Sequence, residues 1–212
     1  MRPDPLKKFK ADKKLSNVKR LMICGDYELA ISSLLDILRD YEDNVEALHS
    51  LGVIYIQIGR VDEGLALLSK AVDLSPGNPA YWNDIGEAFR QLGQFDKAFA
   101  AYSKALAIKV FFPEAQNNLA VAYLLSGDLG EAERHFKAII GYDPAFAPAY
   151  NNLGVLNERV GKLDDAVLFY EKAVVLDAKY QEAIDNYGNL LRKEPSLVEH
   201  SMLRMKNMIT SI

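Results

Sequence analysis

The chain has 212 residues, 50% hydrophobic and 25% charged, with a net charge of −4, which is ordinary composition for folded soluble protein. A single cysteine, Cys24, excludes an intramolecular disulfide. No apolar run approaches the length that crosses a bilayer, and the start MRPDPLKKFKADKK has no apolar core of a secretory signal. A soluble, cytoplasmic protein without integral membrane association is expected.

Taken from the N-terminus, the first feature is charge. Residues 1–20 carry eight basic and two acidic side chains, a local +6 that leaves −10 for the remainder. Residues 1–10 therefore read as a basic arm, suited to an anionic surface, to the acidic body of another copy, or to a solubilising terminus. The acidic body argues against nucleic acid, whose readers carry a basic stripe.

From residue 11 a period of 34 sets in, with units starting near 11, 45, 79, 113, 147 and 181. The first unit ends a helix at Cys24–Gly25 and has Ala30 in its second half. The second carries Gly52, Tyr55, Gly59, Gly64 and Pro76, the third Gly86, Phe89, Gly93 and Ala98, the fourth Ala120, Tyr123, Gly127, Ala132 and Pro144. In the fifth, Leu153, Leu156, Asn157 and Val160 recur at helical spacing within 148–160. Residues 163–176 do the same from Leu163 to Leu176, and Gly161 ends the first of the two helices. Asp164 and Asp165 sit where a helix N-terminus favours negative charge. Small residues such as Gly154 and Ala166 mark where two helix axes approach closely. The sixth unit keeps Tyr187 and Gly188 but has Pro195 at the inter-helix glycine position. Beyond it, Ser196 and Glu199 form a capping-box pattern, and Val198, Met202, Met205 and Ile209 an apolar stripe, so 197–209 reads as a terminal helix. It either closes the stack or, with Met208, docks on a partner.

These residues carry a resemblance. The third unit, Trp82, Ile85, Gly86, Phe89, Gly93, Ala98, Tyr102 and Ala105, and the second, Leu48, Leu51, Gly52, Tyr55, Gly59, Gly64, Leu68, Ala71 and Pro76, resemble the tetratricopeptide repeat (TPR) pattern. The likeness covers residues 11–194. The terminal units are degenerate, the first having Val18 where glycine or alanine is usual. The resemblance implies an all-α fold: a right-handed α-solenoid of about six stacked antiparallel helix pairs, with a C-terminal capping helix over 195–212.

Chemistry is sparse. His49, His135 and His200 lie in different units with no second ligand at i+3 or i+4, against the clustered donors a metal needs. Cys24 has no evident base, and no glycine-rich phosphate loop occurs. No enzymatic activity, metal or cofactor is expected.

In the resembled family the first helix of each repeat lines a concave groove where extended peptides bind. Carried over by position, that groove comprises His49; Asn83, Asp84, Glu87 and Arg90; Asn117, Asn118 and Val121; Asn151, Asn152 and Arg159; and Asp185, Asn186 and Asn189. The in-phase Asn118, Asn152 and Asn186 resemble the asparagine ladder of protein O-linked sugar transferases. A carboxamide offers both a donor and an acceptor to a peptide backbone. Repeats that clamp chaperone C-terminal tails use basic residues, and the matching positions, Ala80, Asp84, Glu114, Asn118, Glu182 and Asn186, hold none, which disfavours such tails. Val110 and Phe111 are an extra apolar pair that suits an exposed edge patch. The expected function is a non-enzymatic scaffold or adaptor binding a protein segment in the groove. The alternatives are self-assembly, the basic arm of one copy contacting the acidic groove of a neighbour, and substrate recognition beside a separate transferase.

Overall fold

A computed structural model describes residues 5–198, with side chains from residue 11 onward. The expected terminal helix over 197–209, with His200 and the three late methionines, lies outside the described residues apart from its first turn. Eleven helices occur among the described residues: α1 (Pro5–Cys24), α2 (Tyr27–Asp40), α3 (Val45–Gln57), α4 (Val61–Leu74), α5 (Pro79–Gln91), α6 (Phe95–Ile108), α7 (Pro113–Ser126), α8 (Leu129–Tyr142), α9 (Ala147–Arg159), α10 (Leu163–Leu176) and α11 (Gln181–Lys193). They fall into two compact units, one ending at Phe111 and one starting at Phe112.

Within each unit, odd- and even-numbered helices form hairpins, and each hairpin packs on the next. This is the α-solenoid arrangement, in which every repeat gains its stability from its neighbours. α1 begins at Pro5, so the helix extends into the basic segment. Two of its lysines are paired with the same chain: Lys14 Nζ lies 3.1 Å from Asp36 Oδ2, and Lys19 Nζ 2.8 Å from Glu46 Oε1.

The turn inside each hairpin is built the same way five times. Gly25, Gly59, Gly93, Gly127 and Gly161 all have positive φ, from 68° to 96°. That backbone lets the next N–H reach back over the helix end: Arg60 N donates to Tyr55 O at 2.7 Å and Lys162 N to Asn157 O at 2.9 Å. This 6→1 bond satisfies carbonyls that the helix itself leaves open. Between hairpins, Asn44 Oδ1 accepts from Ala47 N at 2.9 Å and Asn78 Oδ1 from Ala80 N at 3.0 Å, capping α3 and α5.

Close helix approach explains the in-phase small residues. A Cβ on Gly154 would stand 2.5 Å from the Tyr170 ring, and one on Gly86 2.6 Å from the Tyr102 ring. Ala30, Ala98, Ala132 and Ala166 are all fully buried opposite. Gly188 keeps the pattern without the contact: nothing described lies within 4 Å of its would-be Cβ. The core accordingly runs as a row of clusters along each unit. One is centred on Val18, Leu34, Ile37, Leu51 and Ile54, another on Leu124, Phe136, Ile139, Leu153 and Leu156.

Candidate protein-interaction face

The residues expected to line a groove lie on the odd-numbered helices, and within each unit those helices sit beside one another. In the first unit His49 on α3 meets Asp84 on α5, Nε2 to Oδ2 at 2.6 Å, and the His49 ring packs against Tyr81 with centroids 4.5 Å apart. Asn83 Nδ2 donates to the other oxygen of Asp84 at 3.2 Å. One turn on, Arg90 Nε donates to Glu87 Oε2 at 2.8 Å, and its Nη2 to Glu87 Oε1. Tyr102 Oη also reaches this carboxylate, at 3.4 Å. The bond to Glu87 holds the Arg90 guanidinium above its usual pKa, and burial, then the Glu87 charge, pushes the Tyr102 phenol far up. Both groups therefore stay protonated, and the cluster keeps its hydrogen bonds across the physiological range.

In the second unit the rungs are carboxamides. Asn152 Nδ2 on α9 donates to Asn117 Oδ1 on α7 at 2.9 Å, and Asn186 Nδ2 on α11 donates to Asn151 Oδ1 on α9 at 3.0 Å. The His49–Asp84 contact has the same 35-residue separation. The second residue of each pair thus reaches back to the first residue of the pair one repeat earlier. The in-phase asparagines Asn152 and Asn186 do not meet each other. Asn151 is fully buried, its Nδ2 shared between Glu182 Oε1 at 3.3 Å and Tyr180 Oη at 3.5 Å. It braces the ladder from beneath and presents nothing to a partner.

The remaining expected positions divide. Asn117, Asn118, Asn152 and Asn186 are half-buried, while Asp185 and Asn189 are exposed. Asp185 takes a hydrogen bond from Gln181 at 2.9 Å. Val121 packs against the core. Arg159 is exposed but donates from Nη1 to the carbonyl of Leu124 at 2.6 Å, closing the C-terminal end of α7. Val110 and Phe111 are each 69% exposed at the end of the first unit. Sequence reasoning missed Tyr81, which packs on the His49 ring, and Tyr180, and it took Glu182 only as a groove position that is not basic. Tyr180 and Glu182 accept from Asn151. The sequence presents Tyr180 only as an inter-repeat aromatic, and nothing in the period marks it as a hydrogen-bonding group.

Among the described residues no group of three or more His, Cys, Asp or Glu side chains is placed to hold a metal ion, and no helix is long and apolar enough to cross a membrane. His135 packs its ring on Tyr123, centroids 5.5 Å apart; burial, then the Arg134 charge, lowers its pKa.

Two family models match: a tetratricopeptide repeat model over residues 25–79 and 117–180, and a TPR repeat model over 86–127. The chain belongs to the tetratricopeptide repeat family. No curated protein matches at the level of sequence. Among solved structures, a MamA protein is 25% identical, with a TM-score of 0.62 over 81% of this chain and 94% of that one. A thermophilic TPR protein from Thermus thermophilus is 20% identical, TM-score 0.76, over 85% and 98%. An O-GlcNAc transferase mutant from Thermobaculum terrenum is 24% identical, TM-score 0.63, over 67% of this chain but 27% of that one; its likeness is one of fold. TPR repeats commonly mediate protein–protein interaction, and the odd-helix faces are where this chain concentrates ordered polar groups.

Proposed function

We propose that this TPR chain is a non-enzymatic interaction scaffold that holds an extended segment of a partner protein on the face of its odd-numbered helices. The observation that carries the reading is the 35-residue rung. Each rung uses one amide N–H of Asn152 or Asn186, and that bond fixes the carboxamide plane. The Oδ1 and second N–H of each remain uncommitted among the described residues, as a donor and acceptor set matched to a peptide unit. Groups whose orientation is fixed beforehand lose little entropy on binding. Contacts to backbone would make the grip tolerant of the partner's side chains.

The pairing of Lys14 and Lys19 with their own body favours a separate partner over self-assembly through the basic segment. Equal light scattering by the full chain and by a variant lacking residues 1–10, which keeps the α1 core residues Leu15 and Val18, both monomeric at low salt, is expected. The central test exchanges Asn118, Asn152 and Asn186 for alanine together. Proteins captured from the native host by wild type should be lost by this variant while its helical circular dichroism is kept. Equal capture would remove the face from the proposal.

A further inference from the structure

A second feature lies elsewhere on the fifth repeat. The family's aromatic position in the first helix of a repeat is filled by Tyr55, Phe89 and Tyr123, but one period later it holds Asn157. Each of the three rings is covered by a nitrogen-bearing side chain. The Arg60 guanidinium lies 4.0 Å from the Tyr55 centroid, Lys97 Nζ 5.3 Å from that of Phe89, and the His135 ring stacks on Tyr123. Lys162 stands three periods after Arg60, yet among the described residues no ring lies beneath it. Instead a cavity of about 480 Å³ opens there, lined by Asn157, Tyr150 and Phe169 with Lys162 and Lys172 among its charged residues. That volume falls within the ~300–1,000 Å³ of ligand pockets.

The floor of this cavity is polar and offers an open acceptor. Asn157 is 6% exposed, and its Nδ2 donates to Leu153 O at 2.7 Å; its Oδ1 has no partner among the described residues. Asn157 Oδ1 is not among the solvent-excluded atoms without a partner, so it opens to the cavity, where a donor brought to it can bond. Two repeats earlier the equivalent place holds three side chains: Trp82 donates from Nε1 to Pro76 O at 3.2 Å, Lys104 Nζ lies 4.1 Å over its ring, and Phe89 packs against the same core cluster as Trp82. In the fifth repeat Tyr150 repeats the Trp82 bond, Oη to Pro144 O at 3.2 Å, and Lys172 repeats Lys104 by position. Only the Phe89 ring lacks a successor.

We propose that this cavity takes an aromatic side chain bearing a hydrogen-bond donor, tyrosine or tryptophan, from an acidic segment of a partner protein. The ring occupies the place the repeat pattern leaves empty, between Tyr150 and Phe169. Its O–H or N–H donates to Asn157 Oδ1. Lys162 lies over its face, as Arg60 lies over Tyr55. The lining carries Lys137, Lys162 and Lys172 against Glu133 and Asp165. Glu133 pairs with Lys137 at 2.6 Å and also feels the Lys162 charge, so the rim keeps one net positive charge for acidic flanking residues. Asn157 follows Asn152 by five residues, about 140° around α9 at 100° per residue, so this site and the asparagine rungs occupy different faces.

The test is calorimetry on the full chain with a capped peptide of one tyrosine between glutamates, and the same peptide with alanine for tyrosine. Wild type should bind the tyrosine peptide at least about tenfold more tightly than the alanine one, as for an anchoring ring. Asn157→Tyr supplies the missing ring from within, and should weaken binding at least about tenfold while raising the unfolding midpoint. Nuclear magnetic resonance on wild type gives an independent reading: the tyrosine peptide should shift the Asn157 side-chain amide and the Lys162 backbone amide. Failure to bind at about millimolar peptide, equal binding of the alanine peptide, undiminished binding by a folded Asn157→Tyr, or shifts confined to other repeats would each overturn the proposal.

Discussion

Gly154 offers a sharp test of why the small residues recur. A Cβ there would stand 2.5 Å from both Cδ1 and Cε1 of Tyr170. That ring cannot swing aside: it is 1% exposed, and its Oη is held by Glu158 at 3.0 Å. Gly154→Ala should therefore incur an overpacking cost of about 2–3 kcal/mol. The better helix propensity of alanine returns about 1 kcal/mol, leaving a net loss of about 1–2 kcal/mol. Gly188→Ala is the matched control, at the same repeat position but with nothing described within 4 Å. It should be neutral or stabilising by up to about 1 kcal/mol. Urea unfolding followed by circular dichroism compares the two, with hydrogen exchange of α9 and α10 to localise the effect, since stacked repeats need not unfold in one step. If both variants have the same midpoint, close approach is not what keeps glycine at 154.

Three further outcomes follow from the geometry. His135 has its pKa lowered from 6.5, so it takes its proton more readily unfolded than folded. Its contribution to stability is intact above about pH 6.5 and is lost as pH falls from there toward the folded value; urea midpoints between about pH 7.5 and 5.5 should show a shallower decline for His135→Phe than for wild type. Asn78→Ala removes the Ala80 cap and should cost about 1 kcal/mol, read as a lower midpoint and faster amide exchange in the first turn of α5. Tyr170→Phe deletes the bond to Glu158 and should cost about 1 kcal/mol without loss of helix content.

Much of the scaffold was legible in the chain because its signals are local. The glycines mark backbone that must turn left-handed, and the structure gives all five a positive φ. The limits read for the fifth unit, 148–160 and 163–176, differ by one residue or less from Ala147–Arg159 and Leu163–Leu176, since apolar spacing and turn glycine agree there. The interaction face was less legible. In-phase asparagines suggest partners 34 residues apart, but packing of one odd helix on the next brings residues 35 apart into contact. Which of two adjacent asparagines is buried follows from that packing, and Asn151 rather than Asn152 proves to be the interior one. Asn157 was the hardest position. Its place in an apolar stripe is consistent with simple burial, and only the geometry reveals an open acceptor below a cavity.

The offset of 35 also bears on how such a chain can change. Arg159 reaching Leu124 O and Lys193 reaching Glu158 obey the same spacing as the asparagine rungs, so several cross-links share a single register. Adding one residue within a helix would rotate the rest of that helix by about 100° and throw out of register each cross-link that spans the insertion. Gain or loss of a whole hairpin would leave every cross-link outside it in step. Evolution can therefore lengthen or shorten this molecule by complete modules far more readily than by single residues.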